Sequence, residues 1–513
     1  MRTGTVIALK TRGLSGIILT GVRLGASEQT PYPDLTEVCK LKYDAQSRVN
    51  NAASAALAAV TAALLTGIMW RLRGDHGFGG SFGMYAVLTV LTLFFVLLFP
   101  RNDKANLPFI TLASLAGAVT AGGWGTINHQ ITGLLTATGR FPGTEEVTEI
   151  AVSPLSGVIT MLLLGFGWLP LFGMMLAFYF SKRKYSILNA AEGAAVFYAS
   201  RYLFKFTAAP ALYRLICPQA VGLFEDGLKA YGVDRSPHEL LFKCLGDQSK
   251  KIAAVVGGEE IKIKIKDIPG GRNFFTCCAV LAAAFGALVL VIYIADRFKD
   301  RKGSALAAAV CSAMAVSITA ADVLILFGSF DGAPRALTEN SWSFWEYGTG
   351  FLFGLLTVLI LLPFAGSSSE DGSELFVIEG LPRPIKKIVA VLSFFCTFCL
   401  PPVIVIASRI DVMSEKAVLP ATVAAAMAAL ALTAVLAVKN KNAPSPLGAT
   451  PAQAACIACP ALFSVFMLLY FFIGPAYALH PPFSPITLLM MVSTALLCLC
   501  FPMTIKKTRR DIA

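Results

Sequence analysis

The stretch FFTCCAVLAAAFGALVLVIYIADRFKDRKGSALAAAVCSAMAVSITAADVLILFG, residues 274–328, decides the fold. It holds two apolar runs, each long enough at about 1.5 Å per residue to cross a bilayer as a helix. Between them lies one short charged group, DRFKDRK, from Asp296 to Lys302. Outward from it the same pattern recurs roughly twelve times, in apolar stretches of about twenty residues. They begin near Ala52, Phe82, Leu107, Pro154, Leu188, Phe274, Ala305, Phe344, Ile388, Ala417, Ala454 and Pro485. The expectation is an all-α polytopic membrane bundle of about twelve transmembrane helices, with a small extracytoplasmic α+β cap between helices 5 and 6.

Composition agrees. Of 513 residues 56% are apolar and only 14% are charged, too little polar surface to coat a soluble protein of this size. The mean hydropathy is +0.68. A net charge of +12 raises nucleic acid as a partner, but the Lys and Arg collect beside span ends rather than on one polar face, which argues against it. The partner implied is the lipid bilayer, together with a small-molecule or lipid-linked substrate. Nothing in the chain speaks to oligomeric state.

Walking the loops sets an orientation. Arg2, Lys10, Arg12, Arg23, Lys40, Lys42 and Arg48 precede the first span; Arg101 and Lys104, then Lys182, Arg183 and Lys184, come after the second and fourth. Arg297, Lys299, Arg301 and Lys302, Lys386 and Lys387, Lys439 and Lys441, and the terminal Lys506, Lys507, Arg509 and Arg510 fall on the same side. The positive-inside rule makes that side cytoplasmic, so both termini are expected there, in a multi-pass protein of the plasma (inner) membrane. The chain divides into a cytoplasmic or interfacial segment (1–50), a first bundle (51–212), the cap (213–273), a second bundle (274–504) and a basic tail (505–513). The apolar run GLSGIILTGV in the first segment is too short to span and makes a poor secretory signal.

The fifth span carries Glu192, Arg201 and Lys205, yet without it the two basic loops on either side would fall on opposite faces. Ionisable groups in a membrane helix cost several kcal/mol unless they face a cavity or a partner. Arg201 and Lys205 can snorkel to the outer interface; Glu192 escapes only if it lies at the cytoplasmic edge.

The residues able to carry chemistry project mostly to the extracytoplasmic side. WRLRGDHGFGGSFGM brings Arg71, Arg73, Asp75 and His76 ahead of Gly77, Gly79, Gly80 and Gly83: two guanidinium forks suited to phosphate or carboxylate, with an acid and a base beside them. AGGWGTINHQITG adds Asn128 and His129, and NSWSFWEYGTGFLFG adds Trp342, Trp345 and Glu346. Trp at span ends ordinarily forms the interfacial belt, whereas a carboxylate between aromatic faces suits sugars or cations. Asp322 lies inside the seventh span, about one and a half turns from its outer end, as a coupling acid or a structural hydrogen-bonding group.

The four His, His76, His129, His238 and His480, all map outward but show no metal-ligand spacing, so no metal and no cofactor is expected. Cys396/Cys399 and Cys456/Cys459 match C-x-x-C within apolar helices and read as packing. Cys217 and Cys244 share the outer segment, where a disulfide would need an oxidising compartment. That segment also contains KKIAAVVGGEEIKIKIK, whose alternation around Gly257 and Gly258 predicts a short strand or hairpin. HGFGGSFGMYAVLTVL and WEYGTGFLFGLLTVL resemble each other six spans apart, a hint of two parallel halves. The chain carries no P-loop, nucleophile elbow or H-E-x-x-H pair.

Two functions fit. One is a secondary transporter or flippase for a small or lipid-linked anionic solute, with Asp322, Glu192 and Arg201 along the route. The other is a membrane-embedded transferase, with Arg71 and Arg73 on a phosphate-bearing lipid and Asp75, His76 or Glu346 as acid or base. Depth discriminates them, since transport needs polar groups across the bundle and an outward-facing enzyme needs one vestibule.

Overall fold

In hydrocarbon, backbone N–H and C=O groups find partners only within the protein, so apolar runs of this length close their hydrogen bonds as helices. The computed structural model describes residues 35–75, 81–99, 106–120, 131–181, 183–367 and 484–512, with isolated positions between 392 and 431. It is mostly helical, 75%, with only small sheets. The chain divides into two compact units, Met1–Asn50, in which the first described helix already begins at Leu35, and Asn51–Ala513, which holds the other described elements.

Among the described residues the continuous α-helices are α1 (Leu35–Asp75), α2 (Ser81–Leu98), α3 (Asn106–Thr120), α4 (Pro154–Phe166), α5 (Pro170–Phe180), α6 (Ile187–Phe206), α7 (Ala209–Ile216), α8 (Pro218–Ala230), α9 (Pro237–Lys243), α10 (Gly271–Asp296), α11 (Arg301–Gly328), α12 (Arg335–Leu361) and α13 (Pro485–Ile512). Among the described residues five are long and apolar enough to cross a membrane, within α1, α10, α11, α12 and α13. The count reaches six if α4 and α5, bent by 45° at a short break, are one span. The expectation of about twelve is therefore met only in part. Apolar helices at Val87–Leu98 and Phe109–Thr120 are shorter, α6, whose Glu192, Arg201 and Lys205 lower its hydropathy, is not among the five, and the stretches from Ile388, Ala417 and Ala454 lie largely outside the described residues.

Small residues set the packing. A Cβ added at Gly350 would stand 2.4 Å from the Thr66 carbonyl oxygen and 2.5 Å from the Trp70 Cβ, and one at Gly354 would stand 2.4 Å from the Ala62 carbonyl. α1 and α12 thus cross antiparallel with their backbones nearly touching, the close approach that small residues allow between membrane helices. α13 joins them through Tyr347 and Ser493, hydroxyl to hydroxyl at 2.7 Å, and Thr61 and Thr504, also at 2.7 Å. Gly165 and Gly173 seat α4 and α5 against Ala315 and Ala307 of α11 in the same way.

At one end of the bundle two basic loops meet. The Asp300 carboxylate accepts hydrogen bonds from Ser181 Oγ and Tyr185 Oη, each at 2.6 Å, and from the Gly303 N–H at 2.8 Å, while Arg183 donates to the Phe298 carbonyl at 2.8 Å. Burial works against the Asp300 charge, but these hydrogen bonds, with Arg183 nearby, hold its carboxyl below the ordinary value.

Between α6 and α10 lie α7, α8, α9 and a hairpin of β3 (Lys251–Val256) and β4 (Glu259–Lys264), paired from Lys251 with Lys264 to Val256 with Glu259. Gly257 and Gly258 make its two-residue turn with φ of 61° and 89°, the left-handed pair that a type I′ hairpin needs and that glycine supplies without strain. A second hairpin, β1 (Leu134–Thr136) with β2 (Glu149–Ala151), has no counterpart in the sequence reading. Cys217 and Cys244 are buried free thiols.

Candidate functional site

The last turns of α1, the first third of α12 and the break between α4 and α5 meet at one place. The break is written in GFGWLP, residues 165–170. Gly165 and Gly167 lack side chains where α11 and α10 press in, a Cβ on Gly167 falling 2.5 Å from the Ala284 nitrogen. Pro170 occupies the first turn of α5, where its missing N–H costs nothing and its ring excludes continuation from α4. The chain turns through Leu169, and Trp168 is left at the corner.

Trp168 packs edge to face on Trp70 of α1, with ring centroids 5.7 Å apart. The Arg73 guanidinium lies over both, 5.0 Å from the Trp70 ring and 5.6 Å from the Trp168 ring. Arg73 is only 2% exposed, so its charge is held by aromatic faces and protein dipoles rather than by water. Two residues earlier, Arg71 Nη1 donates to Glu346 Oε2 at 2.6 Å, the side chains being 3% and 10% exposed. Glu346 also lies close enough to act on the charge of Arg73. Trp345 is fully buried beside it, Trp342 packs on Trp345 at 5.7 Å, and Thr349 is buried one turn further along α12.

Asp322 is completely buried on α11. Ile318, one turn before it, abuts Gly165 at the break, and its neighbour Ala321 faces Gly348 of α12, so Asp322 belongs to the same layer of the bundle.

The site residues predicted from sequence separate into groups. Arg71, Arg73, Glu346, Trp342 and Trp345 come together. Asp75 ends α1, and His76, Asn128 and His129 lie outside the described residues. Glu192 is placed at the other end, where it accepts hydrogen bonds from Tyr293 Oη and from Arg297 Nε, the latter at 3.2 Å. These partners at the end of the helix relieve its charge without a cavity. Arg201 sits half-buried, its guanidinium 6.0 Å from the Phe197 ring. Trp70, Trp168 and Thr349 escaped the sequence reading; the Gly-x-Gly-Trp-x-Pro interruption inside an apolar run was the available signal for Trp168. Among the described residues no three His, Cys, Asp or Glu side chains are grouped to hold a metal ion.

No protein-family model matches this chain, and no curated protein or solved structure matches it either.

Proposed function

We propose that this chain is a multi-pass protein of the plasma (inner) membrane, both termini cytoplasmic, that moves a small or lipid-linked anionic solute. The observation that carries the reading is the broken α4–α5 span, whose corner residue Trp168 lies against Trp70 and Arg73. Interrupted helices in transporters bring backbone at membrane depth to the substrate, and the half-helix that starts there presents its positive N-terminal end. Two buried guanidinium groups beside such a break favour an anion, and Arg presents the planar fork that phosphate or carboxylate takes in two bonds.

Glu346 acts in this reading as an internal stand-in for the substrate. An incoming phosphate or carboxylate oxygen takes over Arg71 Nη1, and the carboxylate displaced from it signals occupancy to α12. Asp322, in the same layer, supplies the acid through which proton or cation movement couples to that exchange. The aromatic faces of Trp70 and Trp168 keep Arg73 in place while its anion comes and goes.

The test is thermal stability of the purified protein in detergent with inorganic phosphate, citrate or a polyprenyl phosphate, for wild type, Arg73→Gln and Glu346→Gln. A binding anion raises the midpoint, by about 2.7 kcal/mol of stabilisation at a hundredfold excess over Kd. Arg73→Gln loses the response and Glu346→Gln strengthens it, since the internal competitor is gone. The stabilising anion is then followed across sealed proteoliposomes. Stabilisation without movement moves the reading to a membrane-embedded enzyme; no stabilisation by any of the three sinks it.

A further inference from the structure

Beyond the Arg71–Glu346 site, the far end of α6 carries a second surface that points to a partner. α6 runs antiparallel along α10: Glu192 meets Arg297, a Cβ on Gly286 would touch the Phe197 carbonyl at 2.9 Å, and Phe204 stacks on Phe285 at 4.2 Å. Because α10 is long and apolar enough to span, the last turns of α6 lie at the depth of its first half. Their outward face is apolar, with Tyr202 55% and Leu203 68% exposed.

α9 abuts that end. His238 Nε2 is 2.7 Å from the Phe206 carbonyl, Phe242 packs edge to face on Phe206 at 5.9 Å, and Lys205 Nζ reaches the Gly246 carbonyl at 3.5 Å. Leu240 and Leu241 fill the protein side, whereas Phe242 and Leu245 are 64% and 68% exposed and continue the apolar strip of α6 past its end. Leu245 has φ of 53°, a left-handed conformation that disfavours a leucine and suits glycine or asparagine better. The chain keeps a bulky apolar side chain, turned outward, at a position that disfavours it.

Charges complete the pattern. Phe206 and Phe242 line a groove of about 710 Å³ together with Arg235, His238, Lys243, Asp234 and Glu239. Glu239 Oε2 caps α9, accepting from the Ser236 N–H at 2.9 Å, and the groove carries the two cationic side chains Arg235 and Lys243 beside the carboxylates of Asp234 and Glu239. An apolar strip continuous with a helix at membrane depth, ending in a charged groove that carries two cationic side chains, matches the acyl-to-headgroup boundary of a phospholipid leaflet.

We propose that α9 and its C-terminal turn form an interfacial anchor, with Phe242 and Leu245 among the acyl chains of the leaflet at that end of α6 and Arg235 and Lys243 on phospholipid phosphates. The test places the photoreactive residue benzoylphenylalanine at 242, 245, 203 or 259 of the full chain, reconstituted in phosphatidylethanolamine/phosphatidylglycerol vesicles. After irradiation, adducts are identified by mass. Phospholipid adducts are expected at 242, 245 and 203, and none at 259, the exposed first residue of β4. In the 242 protein, Arg235→Gln and Lys243→Gln each lower the share of phosphatidylglycerol among the adducts, by up to about fivefold. Lipid adducts absent at both 242 and 245, or replaced there by cross-links to a second copy of the chain, overturn the anchor. Using two independent positions keeps the test decisive if one variant fails to fold.

Discussion

Cutting the Arg71–Glu346 pair from one side should be far more damaging than removing it whole. Arg71 and Glu346 meet at 2.6 Å with side chains 3% and 10% exposed. Each has therefore given up nearly all of its water, and the partner's charge is a large part of what replaces it. Arg71→Met leaves a carboxylate in that setting and Glu346→Leu leaves a guanidinium; for a buried pair either change costs about 3–5 kcal/mol. At 1.4 kcal/mol per tenfold, that is about two to three and a half orders of magnitude in the folding equilibrium. The double variant removes both charges and keeps apolar bulk, so it should be more stable than either single one and near wild type. The assay is a double-mutant cycle on denaturant unfolding of the full chain in detergent micelles. Single-variant losses below about 1 kcal/mol, the worth of a solvent-exposed pair, would show that water reaches the site. A double variant as unstable as the sum of the singles would show that the two charges do not act on each other.

Three further outcomes rest on the same packing. Gly350→Ala puts a Cβ 2.4 Å from the Thr66 carbonyl and should cost about 1–3 kcal/mol, whereas Gly222→Ala, with nothing within 4 Å of the new atom and a helical backbone, should be neutral or stabilising by up to about 1 kcal/mol in the same unfolding assay. Asp300→Asn should destabilise the loop junction at neutral pH. Because the folded carboxyl titrates below its ordinary value of 3.8, the advantage of the native residue is complete above that pH and closes as pH falls through the lower folded value, which melting curves of both proteins against pH would track; a gap that persists in acid contradicts it. Trp168→Leu removes both the Trp70 contact and one face under Arg73, and Trp168→Phe keeps part of each, so stability should fall in the order wild type, Phe, Leu; equal losses would mean that the aromatic face contributes nothing.

Much of the helical architecture is legible because bilayer thickness converts directly into run length. The runs from Ala52, Phe274, Ala305, Phe344 and Pro485 each coincide with a helix long enough to cross. The hairpin around Gly257 and Gly258 is equally readable, since two adjacent glycines between alternating strands leave few other conformations. Hydropathy is blind to continuity, however: the run from Pro154 reads as one span although Gly165, Gly167 and Pro170 divide it, because leucines and phenylalanines on either side keep the average high. Arg71, Arg73 and Glu346 stand out as charges at span ends, but nothing in the spacing says that residues 275 apart share a hydrogen bond. That contact depends on how α1 and α12 cross, which Gly350 and Gly354 decide through backbone proximity rather than through any chemical signature. Trp70 and Trp168 look like ordinary membrane-interface aromatics until the bend at Leu169 turns one ring onto the other. Glu192 is the reverse case: its oddity in a hydropathy scan has a plain cause, the Tyr293 and Arg297 partners at the end of α10.

Transport through this bundle requires that the α4–α5 break and the buried arginines lie within the membrane and not upon it. Electron cryomicroscopy of the full chain in a lipid nanodisc measures this directly, since the bilayer appears beside the protein. Trp168 and Arg73 are expected inside the hydrocarbon slab, about 30 Å thick, with Arg71 and Glu346 toward one edge of it and Asp300 at the opposite edge. A slab that leaves Trp168 and Arg73 among the head groups, with α4 and α5 lying along the surface, would contradict it.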